Sequence, residues 1–185
     1  MKRMKELKPP LVCFGIMTIM CGILYTAVMT GVSQLVFPVQ ANGSMISILQ
    51  KDGTKKIYGS KLLAQDFKGE KYLIGRPAGV TNLSPVSKEE ETLVQERIDW
   101  WHSFDPNNQA EIPMDLITAS ASGVDPHITP QAAEYQVERI AKARGITEDE
   151  VRHIIKENTS SRLIGFIGEP GVSVLMVNLA LDGLL

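Results

Sequence analysis

The sequence predicts an α+β domain held outside the membrane by a single N-terminal transmembrane helix. Three observations predict it. No charged residue occurs among the 42 positions between Lys8 and Lys51. Beyond them, turn-bounded apolar runs and capped amphipathic segments are mixed without a regular strand–helix–strand alternation. Residues 1–8 carry a net charge of +3, so the remainder of this 185-residue chain of net charge −2 is acidic, at −5. An acidic body lacks the basic footprint of a nucleic-acid binder.

The elements follow in order. Residues 1–8 form a cytoplasmic tail, 9–37 the transmembrane helix and 38–185 the extracytoplasmic domain. Leu11–Met29 alone spans about 29 Å as a helix, close to a ~30 Å hydrocarbon core. Pro9 and Pro10 suit a helix start, and Pro38 a helix end. Basic residues on the N-terminal side alone place that side in the cytoplasm. A cleaved signal peptide ending near Val39-Gln40-Ala41 is the competing reading, but its apolar stretch would exceed the usual length. Gly15, Thr18, Gly22, Thr26 and Ser33 recur at helical spacing and predict a close contact with another membrane helix. Cys13 and Cys21, about 12 Å apart along the axis, are too far apart for an intrachain disulfide.

After a turn at Gln40–Ser44, Met45–Leu49 and Lys55–Gly59 flank Asp52-Gly53, a hairpin signal. Lys61–Phe67 reads as a short helix, Tyr72–Ile74 as a strand and residues 75–86 as a loop. Ser87-Lys88-Glu89-Glu90 is a capping box opening a helix that buries Val94, Ile98, Trp101 and Phe104. It ends at Asp105–Asn108. Thr129-Pro130 opens a second helix with Ala133, Val137, Ile140 and Ala141 inward and Gly145 at its end. Thr147–Glu150 is another capping box, before Val151, Ile154 and Ile155. Leu163–Ile167 and Val172–Leu179 read as strands about a turn at Gly168–Gly171.

Catalytic motifs are sparse. Gly165, Gly168 and Gly171 are not followed by Lys-Ser/Thr, so they form no phosphate loop. Ser120, Ser122, Asp125 and His127 lie close in sequence, yet no GxSxG elbow accompanies them. His102, His127 and His153 lack zinc-site spacing, and His153 suits a helix-face pair with Asp149. No catalytic residue and no metal ligand is therefore assigned.

The run from Met114 to Pro130, containing Ser120, Ser122, Gly123, Asp125, Pro126 and His127, resembles the signature of the KdpC family, a component of the Kdp potassium-transporting P-type ATPase. The resemblance continues through Ala132-Ala133, Tyr135-Gln136-Val137, Arg139 and Ala141–Gly145. It recurs at Gln40–Ser44, at Gly75-Arg76-Pro77, at Gly168-Glu169-Pro170 and at Asn178–Asp182. It thus covers nearly the whole chain. After Pro77 the loop is shorter than the family usually has. The resemblance implies an accessory subunit of an ATP-driven, high-affinity potassium uptake pump in the bacterial cell membrane. Its partners would be a channel-like potassium-binding subunit, a P-type ATPase subunit and a small membrane peptide. It would assist assembly and promote ATP binding and hydrolysis by the ATPase subunit, as a catalytic chaperone. ATP and potassium would be used by the complex, and no cofactor is assigned to this chain. The alternative is a membrane-anchored extracytoplasmic hydrolase or ligand-binding module.

Overall fold

Helix formation begins at the first described residue. The computed structural model describes residues 2–50, 52–162 and 166–185, in two units divided between Met45 and Ile46. In the first, α1 (Lys2–Met17) runs into a π-helical stretch (Thr18–Tyr25), then α2 (Thr26–Val36) and the short α3 (Pro38–Ala41). Leu7–Val36 is long and apolar enough to cross a membrane. The helix starts seven residues before the expected Pro9. It carries both prolines inside α1, although each removes a helix N–H donor. Phe37 leaves helical geometry, at φ −132°, because the ring of Pro38 disfavours the α conformation in the residue before it. Reciprocal side-chain amide bonds between Gln34 and Asn42, 3.1 and 3.4 Å, tie α2 to the end of α3.

The second unit opens with a hairpin of β1 (Met45–Leu49) and β2 (Lys55–Ser60). Asp52 closes its turn by accepting from the Thr54 N–H at 2.9 Å and hydroxyl at 2.6 Å. The expected helix at Lys61–Phe67 does not form. The Ala64 N–H, which would bond back to Ser60 in a helix, bonds instead to the Val124 carbonyl at 2.9 Å.

Then α4 (Lys88–Phe104) turns Trp101 into the core, with Val94, Ile98 and Phe104 packed beside it. Its capping box is half formed. Ser87 Oγ takes the Glu90 N–H at 3.2 Å, but the Glu90 carboxylate accepts from Thr81 Oγ1 rather than from Ser87 N–H. A short helix that the pattern did not announce, α5 (Met114–Ile117), buries Leu116 and Ile117.

The predicted helix after Thr129 is two, α6 (Pro130–Glu134) and α7 (Val137–Arg144), separated by a turn at Tyr135–Gln136. Gly145 ends α7 in the left-handed conformation, which glycine adopts without a Cβ penalty. The Thr147 capping box of α8 (Glu148–Glu157) is complete in both directions. Strands β3 (His127–Ile128), β4 (Thr159–Ser160) and β5 (Gly171–Ser173) form an antiparallel sheet with β5 in the middle. Val172 is registered against Ile128 on one side and Thr159 on the other.

The expected strand Val172–Leu179 stops at Ser173 and becomes α9 (Val174–Leu181). A continuous apolar run is compatible with a buried strand or a buried helix, and periodicity does not separate them. Of the expected strand Leu163–Ile167, residues 163–165 lie outside the described residues, and Phe166 stands in a turn. The core joins Leu73, Trp101, Leu116, Ile140, Val151, Val172 and Val177, all at most 2% exposed.

Candidate functional site

The site is built on a segment that the sequence read as a strand. Among the described residues Tyr72–Ile74 pairs with no strand; side chains take the place of both neighbours. Asn178 Oδ1 accepts the Leu73 N–H at 2.8 Å and its Nδ2 donates to the Leu73 carbonyl at 2.9 Å. Gln136 does the same for Ile74, at 2.9 Å in each direction. Extended backbone points successive peptide groups to opposite sides, so two amide side chains satisfy two adjacent residues completely.

Arg139 and Arg144 complete the clamp. Arg139 donates to the Glu70 carbonyl, to the Tyr72 carbonyl at 3.1 Å and to Gln136 Oε1 at 2.7 Å. It lies over the Phe104 ring, 4.9 Å from the centroid. Burial pulls its pKa down to about 10, against the opposing pull of Asp105 and Glu70. It therefore keeps its charge and all of its donors at neutral pH. Arg144 donates to the carbonyls of Lys71 and Leu181 and to Asp182. Burial also raises the pKa of Tyr135, with the Asp105 charge adding to it.

This clamp fixes the adjoining segment, Gly75-Arg76-Pro77. Arg76 Nη1 donates to Asp115 Oδ1 at 2.9 Å and Nη2 to Thr118 Oγ1 at 3.3 Å. The other oxygen of Asp115 takes the Thr129 N–H at 2.6 Å, and Thr129 Oγ1 caps α6 through the Ala132 N–H. Further along, the Gly79 N–H bonds to the Gly123 carbonyl at 3.1 Å. A Cβ on Gly123 would sit 2.7 Å from the Gly79 carbonyl carbon, so the two backbones touch. A concave cleft of about 400 Å³ results. Gly75, Arg76 and Pro77 line it from one motif, and Gly123, Asp125 and Pro126 from the other. Phe67, Trp100 and Trp101 supply aromatic walls.

The remaining predicted residues lie elsewhere. Ser120 lines a second concavity of about 870 Å³, with residues of the 80–87 loop and with Glu90 and Glu91. Its Oγ is 3.3 Å from Ser122 Oγ, which in turn accepts the Val124 N–H. His127 lines neither concavity. Its backbone N–H, rather than its ring, holds the loop, donating to Asp125 Oδ1 at 3.0 Å. Among the described residues no hydrogen bond joins either serine to His127. Asn178 lies behind the cleft wall, on Leu73. His153 pairs with Glu157, at 3.3 Å, instead of Asp149, because Asp149 faces Arg152. Among the described residues no group of three or more His, Cys, Asp or Glu is placed to hold a metal ion.

In the first unit, Gly15 and Gly22 have open space around them. The hydroxyls of Thr18 and Thr26 bond within the helix, to Phe14 and Cys21 carbonyls. The stripe expected from α-helical spacing is not straight. Thr18 and Gly22 fall in the π-helical stretch, whose i→i+5 bonding widens each turn and moves the residues around the axis.

Side-chain clamping of an extended segment was not readable from periodicity, which treats Gln136 and Arg139 as ordinary polar positions. The signal that singles them out is their burial, at 0% and 7% exposure, since unpaired buried polar groups are costly.

Comparison with known proteins is consistent along the chain. The family profile described as "KdpC: K+-transporting ATPase, c chain" matches residues 7–183. A protein of Listeria monocytogenes serovar 1/2a, "Potassium-transporting ATPase KdpC subunit", is 52% identical over 188 residues, covering 100% of this chain and 99% of that one. Another of that name from Clostridium botulinum strain Alaska E43 is 46% identical over 205 residues, covering 100% of both.

Proposed function

Since the chain belongs to the KdpC family, the c chains of K+-transporting ATPases, we propose that it acts as a non-catalytic, membrane-anchored subunit that assembles and supports a Kdp-type potassium pump. In this reading Leu7–Val36 crosses the cell membrane once. The basic start lies in the cytoplasm, by the excess of Lys and Arg on that side, and the α+β unit lies outside. A channel-like subunit that binds potassium, a P-type ATPase subunit and a small membrane peptide are its partners. ATP is bound and hydrolysed by the ATPase subunit and potassium is the cargo. This chain promotes ATP use by stabilising the assembled pump.

One observation carries the reading: the two motif segments are fastened to each other as a fixed surface. Arg76, Asp115 and the Thr129 N–H are joined in series, and Gly79 touches Gly123. The polar groups are used to hold backbone. The serines bond each other and their own loop, so no activated nucleophile supports the hydrolase reading. The cleft side of this surface, with Trp100 at its edge, is a fit place for a partner subunit, because Trp and Arg dominate binding energy at protein contacts.

The test is co-purification of the tagged full-length chain from detergent extracts. It should bring down two large membrane proteins with potassium-dependent ATPase activity. The variant with Ser120→Ala and Ser122→Ala together should retain most of that activity. Recovery of the chain alone would overturn the subunit reading. A double variant that assembles but has no activity would restore a chemical role for the hydroxyls.

A further inference from the structure

We propose that the basic start of α1 is a binding collar for the headgroups of anionic phospholipids. It rests on the reading that Leu7–Val36 crosses the bilayer, and on no partner subunit. Lys2, Arg3, Lys5 and Lys8 are set against one opposing charge nearby in sequence, Glu6, and the next 42 residues carry none.

The structure adds that the backbone at these positions is helical. The helix runs from Lys2 through both prolines to Met17, so the basic positions and the start of the apolar span belong to one helix. From Lys2 to Lys8 is about 9 Å of helix. That keeps every one of them within about one Debye length, ~8–10 Å, of the point where the apolar span begins, so their attraction to a charged membrane surface is only partly screened. On the apolar side of the collar, Leu7, Leu11, Val12 and Phe14 are all at least half exposed, as a lipid-contacting turn requires.

Position around the axis selects the occupant. At about 100° per residue, positions 2, 3, 5 and 8 fall near 0°, 100°, 300° and 240°. Every half of the circumference therefore holds a basic position. One acidic face of a protein meets one side of a helix; a ring of lipid headgroups meets all sides. The arrangement fits the ring.

The full-length chain, reconstituted in vesicles of phosphatidylcholine and phosphatidylglycerol in equal parts, provides the test. The lipid at its surface is read with spin-labelled phosphatidylglycerol and spin-labelled phosphatidylcholine. The native chain should immobilise phosphatidylglycerol several-fold in preference, and added salt should reduce the preference. Changing Lys2, Arg3, Lys5 and Lys8 together to Gln should abolish it. Lys2→Arg, Arg3→Lys, Lys5→Arg and Lys8→Arg together should keep it. Equal immobilisation of the two lipids by the native chain would overturn the proposal, as would full preference in the Gln variant. Loss of the preference on adding inorganic phosphate at matched ionic strength would show a general phosphate site and overturn the headgroup assignment. Extraction of the native chain from the vesicles by alkaline carbonate would instead defeat the membrane-spanning reading, and the collar with it.

Discussion

The side-chain amide of Asn178 closes both hydrogen bonds of the Leu73 peptide groups, 105 positions away in sequence, at 2.8 and 2.9 Å. Both residues are fully buried. One side chain thus does the work of a neighbouring strand. Asn178→Leu is nearly isosteric but leaves the Leu73 N–H and C=O without partners, at about 1–3 kcal/mol each. The detergent-solubilised chain should lose about 2–6 kcal/mol of stability by that sum, seen as a clear fall in melting temperature. Gln136→Leu should act similarly on Ile74. The double variant should cost less than the sum, because the two amides brace adjacent residues of one segment. Strict additivity would mean that Leu73 and Ile74 are held independently.

Gly123 stands at φ +69°, and a Cβ there would approach Gly79 and Val80 at 2.7–2.9 Å. Gly123→Ala therefore meets left-handed strain of about 1–3 kcal/mol in addition to a backbone clash. It should lower thermal stability and expose the 77–80 loop to proteolysis. Gly22→Leu is the contrast. A Cβ there would meet no atom within 4 Å apart from the adjoining backbone of its own helix, so stability should be unchanged. Recovery of the partner subunits should fall if another helix packs there.

The elements that the sequence announced are those whose signal is local. The Thr147 capping box, the Thr129 cap and the buried face at Val94, Ile98, Trp101 and Phe104 each depend on residues within one or two turns. The misread elements depend on distant groups. Ala64 gives its N–H to Val124, and Leu73 and Ile74 are completed by Asn178 of α9 and by Gln136 in the turn before α7. The run from Val174, apolar except for Asn178, hides its helix because it is buried nearly all round. The signature residues were visible as a string, but their roles were not. Asp115 and Arg139, which fasten the site, have no distinctive spacing at all.

Asp125, not the His127 ring, should prove to hold the signature loop. The carboxylate accepts the His127 backbone N–H at 3.0 Å, whereas the ring stands 3.7 Å away with 42% of its side chain exposed. Asp125→Ala removes an acceptor from that N–H and should cost about 1 kcal/mol. His127→Ala should change thermal stability by less than about 0.5 kcal/mol, as surface substitutions usually do. A larger loss in His127→Ala than in Asp125→Ala would reverse the assignment. Reduced partner recovery in His127→Ala at full stability would instead make the ring a contact with a partner.

Arg76 and Asp115 form the junction on which the cleft depends. Their side chains are 22% and 13% exposed, 2.9 Å apart, and Asp115 also holds the Thr129 N–H. Asp115→Ala removes the acceptor for both and leaves a shielded guanidinium without its counter-charge. The loss should be about 2–4 kcal/mol, below the 3–5 expected for a fully buried pair. Asp115→Asn keeps one oxygen and should cost less. Arg76→Lys keeps the charge but cannot reach Asp115 and Thr118 at once, because an ammonium lacks the planar fork. In a double-variant cycle, Arg76→Ala and Asp115→Ala should be coupled by about 1–3 kcal/mol. Thermal unfolding measures that coupling, and partner recovery supplies the second axis. If both single variants lose recovery in proportion to stability, the pair acts by shaping the cleft. If Arg76→Ala loses recovery while Asp115→Ala of equal stability does not, the guanidinium itself meets the partner, and the wall of the cleft is part of the interface.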